Sequence, residues 1–139
     1  MKSRIALFAV SLLLLLSFQI LPQEIAVQNT SKDACVKTLL EGLQTENRGL
    51  KAGCTYMLGE LCCDRGVITL LDILHNSLSE ELRILAALSL YKIGDSRGIF
   101  AIKQSIKYDE SDRVSRLCEK FYRSYMQKES NETVEVATK

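Results

Sequence analysis

Residues 82–93 read LRILAALSLYKI and contain the pattern that decides the fold. Their apolar side chains recur with the spacing of an amphipathic helix, and matching positions recur at one constant interval on either side of this stretch. A fixed period of this kind is typical of stacked helical repeats rather than of one closed core. The matched positions, whose numbering advances by 32 at each step, are Leu50, Cys54, Leu58 and Leu61, then Leu82, Ala86, Leu90 and Ile93, then Val114, Cys118, Tyr122 and Tyr125.

A second set of helices alternates with this one. Stretches at about 32–45 and 65–76 share a stripe of Val and Leu at spacings of 3, 1 and 3. A third stretch, at about 97–107, keeps three of these four positions as Ile99, Ile102 and Ile106 and has Lys103 at the other. The connections are short, so successive helices are expected to be antiparallel neighbours. The sequence therefore predicts an all-α fold, a short α-solenoid of about three antiparallel helix pairs, between residues 32 and 127.

Residues that start and stop helices agree with these limits. Ser79 and Ser111 precede acidic first turns and are predicted N-caps, because a serine hydroxyl can accept a hydrogen bond from an unpaired amide at a helix start. Asp64 and Ser96 are predicted N-caps for the next helix of each pair. Gly94 is a predicted C-cap, since glycine adopts the left-handed conformation at little cost.

The N-terminus has the layout of a secretory signal peptide. Lys2 and Arg4 are followed by the apolar run IALFAVSLLLLLSFQIL, and such a run after a short basic region typically directs export and is then removed. We expect residues 1–23 to be the signal peptide, residues 24–31 a linker, and the protein to be periplasmic or secreted. The alternative is that this segment is not cleaved and tethers the protein to the membrane. No other membrane contact is expected.

The charge of the chain limits the classes of partner that it is expected to bind. The net charge is +1 for the whole chain and falls to −1 without residues 1–23, which carry Lys2 and Arg4. A nearly neutral chain has no overall field that would attract nucleic acid, so no nucleic-acid partner is expected. The polar stretch at 128–139 lacks an apolar stripe and is predicted to be a flexible tail.

The segment at 82–106 resembles a HEAT repeat of the phycobilisome-lyase-like type. The match is to a helix rich in Ala and Leu, the turn Ile93-Gly94-Asp95, and a short second helix, and residues 61–66 are a weaker copy of the turn. The resemblance extends over residues 33–127. It implies a protein-binding scaffold. Some relatives attach bilins to phycobiliproteins, but the export signal argues against that activity here.

Five cysteines in an exported chain raise the question of disulfides. In an antiparallel pair, Cys35 at the start of one helix comes near Cys62 and Cys63 at the end of the next, so a bridge from Cys35 to either is predicted. The alternative is that all five are small buried side chains. Cys54 and Cys118 occupy the core pattern and are expected to be buried thiols.

Catalytic and metal-binding motifs are missing from the sequence. The vicinal pair Cys62-Cys63 is not a C-x-x-C motif, and His75 is the single histidine, which is too few ligands for a zinc site of familiar spacing. There is no nucleophile elbow and no glycine-rich phosphate loop. We therefore expect no enzyme activity, no metal and no cofactor.

The resemblance also implies a binding face. In such arrays one set of helices lines the inner surface, and by resemblance it is the set that contains Leu50, Leu82 and Val114. The leading hypothesis is a non-enzymatic exported scaffold that binds a protein or peptide on this face. Its outward residues are expected to be Lys51, Thr55, Glu81, Arg83, Lys92, Arg116, Glu119 and Arg123.

Two alternatives to this binding role remain open. The first is a structural module that stacks with itself as a homo-oligomer, or within a larger envelope assembly, because terminal repeats expose a side that would otherwise be covered. The second concerns the basic last helix, where Arg116 and Arg123 stand among tyrosines. This helix could instead be a solvated face or a contact for a polyanion.

Overall fold

A computed structural model describes residues 33–137 of the chain, with side chains to residue 131. Two compact units are distinguished, Met1–Cys35 and Val36–Lys139, and only residues 33–35 of the first fall within the described range. The described residues form helices joined by turns and contain no strand, which confirms the predicted all-α class. The predicted signal peptide (1–23) and linker (24–31) lie outside the described residues.

The limits of the first, third and fifth helices differ from the predicted ones by at most three residues. Helix α1 covers residues 33–42, and a 3-10 turn at Asp64–Gly66 precedes the third helix. The other helices are α2 (Arg48–Glu60), α3 (Val67–Asn76), α4 (Glu80–Ile93), α5 (Ser96–Tyr108) and α6 (Asp112–Ala137).

The helices pack in two layers. Helix α4 packs between α2 and α6, so these three form one layer, while α3 and α5 pack against each other and against α4. Helix α5 also packs against α6. The buried core lies between the layers, and its largest fully buried side chains include Leu58, Leu70, Leu74, Leu90 and Ile102. Burial of each such side chain stabilises the fold by roughly 1.5–3 kcal/mol.

One hydrogen-bonded turn recurs at the start of α2, α4 and α6. In each turn the N-cap side chain accepts a hydrogen bond from the amide three residues later, and the N-cap amide donates to a side-chain oxygen two residues earlier. This confirms Ser79 and Ser111 as N-caps. The three N-caps are Asn47, Ser79 and Ser111, and the acceptors two residues earlier are Thr45, Ser77 and Asp109.

The starts of α3 and α5 differ from the prediction. Asp95, not Ser96, is the N-cap of α5: its backbone is extended, and its Oδ1 accepts a hydrogen bond from the Arg97 amide at 2.9 Å. Asp64 is not an N-cap either, because it is already the first residue of the 3-10 turn, and the residue before it makes no side-chain cap. The prediction placed both caps one residue too late. Gly94 is confirmed as the C-cap of α4, with φ of 75°.

The last helix is longer than expected. Helix α6 continues past Lys128 to Ala137, into the stretch predicted to be a tail. No Gly or Pro interrupts the sequence between Asp112 and Ala137, so nothing in the chain breaks the helix there. No helix within residues 33–137 is both long and apolar enough to cross a lipid bilayer.

Candidate functional site

The eight residues of the predicted binding face do not form one surface. Thr55 is fully buried where α2 meets α4. Its hydroxyl donates to the Lys51 carbonyl at 2.8 Å, and its own carbonyl accepts a hydrogen bond from Ser89 Oγ at 2.8 Å. The expectation that Thr55 faces outward is therefore wrong, because its side of α2 packs against α4.

Arg83 is also removed from the surface. Its side chain is only 13% exposed, and its Nε and Nη2 each donate to a carboxylate oxygen of Asp109 at 3.0 Å. Its Nη1 donates to the Ser77 carbonyl at 2.8 Å. These hydrogen bonds to Asp109 raise the pKa of Arg83. The expectation of an outward Arg83 is wrong, since this side chain ties the turn before α4 to the turn before α6.

Lys92 and Glu81 remain at the surface, each with a partner. Lys92 pairs with Glu60 across the α2–α4 contact, which lowers the pKa of Glu60 and raises that of Lys92. The Lys92 ammonium also lies 4.6 Å from the centre of the Tyr56 ring. Glu81 is exposed and accepts a hydrogen bond from Ser79 Oγ at 2.8 Å. Lys51 is half-buried.

Three of the predicted residues form the outer side of α6. Arg116 and Arg123 are exposed and Glu119 is half-buried, with a 2.6 Å ion pair between Arg123 and Glu119. The residues at the equivalent positions of α4 and α2 are small or apolar and are packed inside the fold. These equivalent residues are Ala52, Thr55, Gly59, Ile84, Ala87 and Tyr91. We call Arg116, Glu119 and Arg123 the polar end of the fold.

A groove between α3 and α5 was not anticipated from the sequence. It consists of two adjoining cavities of about 470 Å³ and about 290 Å³, and His75 and Gln104 line both. Leu71, Phe100 and Ala101 give the larger cavity a mainly apolar surface, and Ser96 and Arg97 also line it. We call this feature the α3–α5 groove.

The apolar side chains at the groove are unusually exposed. Phe100 is 62% exposed and Tyr108 is 68% exposed, and Leu78, at the edge of the smaller cavity, is fully exposed. Ile68 occupies the position in α3 that Phe100 occupies in α5 and is 63% exposed, but it does not line either cavity. A cluster of exposed large apolar side chains beside a cavity is typical of an interaction site.

The polar groups of the groove can fix the orientation of a ligand. His75 Nδ1 lies 2.8 Å from the Leu71 carbonyl. A carbonyl oxygen only accepts, so Nδ1 carries the proton and Nε2 of the neutral ring is an acceptor. The Gln104 side chain offers both a donor and an acceptor. His75 is exposed in the last turn of α3, and its position in the groove depends on the packing of α3 against α5.

All five cysteines are present as thiols in the structure. Cys54 and Cys118 are buried, as expected, and burial raises the pKa of Cys118 to about 12. Cys35 and Cys62 are exposed, while Cys63 is buried. The bridge from Cys35 to Cys62 or Cys63 stays a prediction. Within the described residues, no group of three or more His, Cys, Asp or Glu side chains is arranged to hold a metal ion.

No protein-family model matches this sequence, and no curated protein matches it. Any functional assignment therefore depends on the residues and their geometry.

Proposed function

We propose that this chain is a non-enzymatic exported scaffold of three HEAT-like helix pairs that binds an apolar protein segment in the α3–α5 groove. The observation that carries the proposal is the exposure of Phe100, Leu78 and Tyr108 beside two adjoining cavities. An aromatic or aliphatic anchor that fills a cavity is the usual centre of a protein-binding site.

The repeat part of the proposal is supported by equivalent positions in successive helix pairs. The same capping turn opens α2, α4 and α6, and the left-handed residue at the end of α4, Gly94, has its counterpart in Cys62, with φ of 46°, just after α2. Cys54, Ala86 and Cys118 are all buried. Short helical pairs of this kind commonly present extended binding surfaces.

A protein segment fits the groove better than a small molecule does. The exposed apolar side chains at the edges extend the surface beyond the cavities, so a ligand confined to one cavity would leave much of this area in water. Apolar side chains of a bound segment would cover Phe100 and Leu78, and its backbone would find His75 and Gln104 as hydrogen-bond partners.

Selection of peptides on the immobilised protein tests this proposal. Peptides enriched from a random library should bind the wild type and lose at least about tenfold in affinity with Phe100→Ser, which corresponds to about 1.4 kcal/mol. Ile68→Ser is the matched control, because Ile68 is equally exposed and on the same layer but outside the cavities. Equal loss in both variants, or no loss in either, would remove the groove as the binding site.

Export is supported by the basic and apolar N-terminal residues rather than by any described part of the fold. Cell fractionation followed by mass determination of the N-terminal peptide tests it. A mature chain that starts near residue 24 in the periplasm or medium is expected, and recovery of an intact chain with the membrane fraction would favour the tethered alternative.

A further inference from the structure

The face of α2 opposite α4 is apolar and open. Leu50 is 52% exposed, whereas its counterparts in α4 and α6, Leu82 and Val114, are 7% and 0% exposed. Met57 is 41% exposed, whereas Ser89 at the same position of α4 is 0% exposed. The difference lies in the neighbours rather than in the residue types, since the Leu at 82 is buried and the Leu at 50 is not.

The neighbours of α4 and α6 explain the difference. Ser89 faces α2, because its Oγ donates to the Thr55 carbonyl, and α6 uses the equivalent Phe121 to stack on Tyr91 of α4 at 5.8 Å between ring centres. In each case this side of the helix meets the preceding helix of the same layer. Among the described residues, α2 is preceded by α1, whose Gly42 lies against Cys54 of α2. The side with Leu50 and Met57 stays exposed, so it lacks the helix that this position receives in α4 and α6.

The two ends of the layer differ in chemistry. The α2 face has Leu50, Gly53 and Met57, none of which is charged, whereas the polar end on α6 carries Arg116, Glu119 and Arg123. Head-to-tail stacking would press Arg116 and the Arg123–Glu119 pair against Leu50 and Met57. These charged groups would lose water there without gaining a new partner, which is costly. Two polar ends brought together would set arginines against arginines. Pairing of two α2 faces avoids both penalties.

We propose that two copies of this chain associate through α2, about a two-fold axis, and so form a closed dimer. Gly49 and Gly53 lie on this face, and a Cβ atom at Gly53 would meet nothing within 4 Å. An antiparallel crossing centred on Gly53 therefore lets the two helices approach closely and sets Met57 of each copy against Gly49 of the other. Such an isologous contact closes on itself and leaves both α3–α5 grooves free.

Sedimentation of the exported, processed protein over a concentration series tests the dimer. The wild type is expected to sediment as a dimer, and the double variant Leu50→Glu with Met57→Glu as a monomer at the same concentrations. Ile68→Glu is the matched control, since it places the same charge on an equally exposed apolar residue of α3, and it should stay dimeric. Helical circular dichroism of all three proteins checks that each is folded.

Cross-linking at Gly53 tests the two-fold axis itself. In a Cys35→Ser, Cys62→Ser background, Gly53→Cys should form an interchain disulfide with a mild oxidant, because a residue on the axis meets its own copy. Asp72→Cys, exposed on α3, should not. A wild type that is monomeric at every concentration, growth beyond the dimer, or equal cross-linking of both variants would overturn the proposal. A monomer that still binds the selected peptides would leave the groove proposal intact.

Discussion

Gly59 of α2 lies against Ser89 of α4 so closely that a Cβ atom at position 59 would be 2.6 Å from the Ser89 Cα. The neighbouring atom belongs to backbone, so it cannot move aside as a flexible side chain would. The hydrogen bond from Ser89 Oγ to the Thr55 carbonyl, at 2.8 Å, holds the two helices together at the same point. This contact sets the spacing between α2 and α4.

Gly59→Ala should therefore destabilise the fold. The added methyl must push α4 away from α2, and overpacking of this kind costs about 1–3 kcal/mol. Gly53→Ala, in the same helix, should instead stabilise by up to about 1 kcal/mol, because alanine is a better helix former and no atom lies within 4 Å. Urea denaturation of both variants at low protein concentration measures the difference. The same sign in both variants would contradict the close α2–α4 contact.

The buried pair of Arg83 and Asp109 should contribute far more than an exposed pair. Their side chains are 13% and 7% exposed, so Arg83→Ala leaves a nearly buried carboxylate without its partner, at a cost of about 3–5 kcal/mol. Arg123→Ala breaks the exposed pair with Glu119 and should cost less than about 0.5 kcal/mol. Thermal unfolding of the two variants gives the comparison. Equal losses would mean that the Arg83 pair does not hold the two turns together.

Cys62 and Gly94 offer a test of backbone strain at equivalent positions. Cys62 has φ of 46° and Gly94 has φ of 75°, a region that costs residues other than glycine roughly 1–2 kcal/mol. Cys62→Gly should stabilise the fold by about 1 kcal/mol, because glycine relieves the strain. The loss of the weak hydrogen bond from Cys62 Sγ to the Lys92 carbonyl reduces this gain. Gly94→Ala should destabilise by a similar amount. Both are measured by denaturant unfolding, and a destabilised Cys62→Gly variant would show that the thiol contact outweighs the strain.

Acid should weaken the start of α5. Hydrogen bonds from Arg97 lower the pKa of Asp95 from 3.8 to about 2. A pKa that is lower in the folded state gives stability that is fully present above pH 3.8 and is lost as the pH falls towards about 2. Asp95→Asn keeps an N-cap acceptor but cannot titrate, so its stability should fall less over this interval. Unfolding measured from pH 5 down to about pH 2 compares the two proteins, and parallel curves would exclude Asp95 as the titrating group.

The features that could be predicted from the sequence are those that depend on residues close together in the chain. Ser79, Ser111 and Gly94 act within one turn of their own helix ends, so their roles follow from neighbouring residues. Arg83 could not be placed in this way. The repeating pattern shows which residues share a side of a helix, but Arg83 is buried by Asp109, which lies 26 positions away in the next turn.

The α3–α5 groove escaped prediction for a related reason. Its volume is a property of two packed helices and has no counterpart in either sequence segment. One feature of the sequence could have indicated it, namely a large apolar residue outside the apolar stripe of its helix. Ile68 in α3 and Phe100 in α5 hold this same position, and both are exposed. The polar end could also be misread from sequence, since Arg116 and Arg123 suggest a binding face until their packed counterparts in α4 are known.

The bonds that join neighbouring turns and helices have a consequence for how the chain folds. Three such bonds join Ser89 to the Thr55 carbonyl, Lys92 to Glu60, and Arg83 to Asp109, and they span 34, 32 and 26 positions. Each therefore needs only two neighbouring helix pairs to be present, not the whole chain. Contacts that join only neighbouring units of an array let folding start in one unit and propagate to the next. As the polypeptide emerges from a ribosome or a translocation channel, α2 and α4 can dock before α6 has appeared, and the protein can acquire its structure progressively from its amino-terminal side.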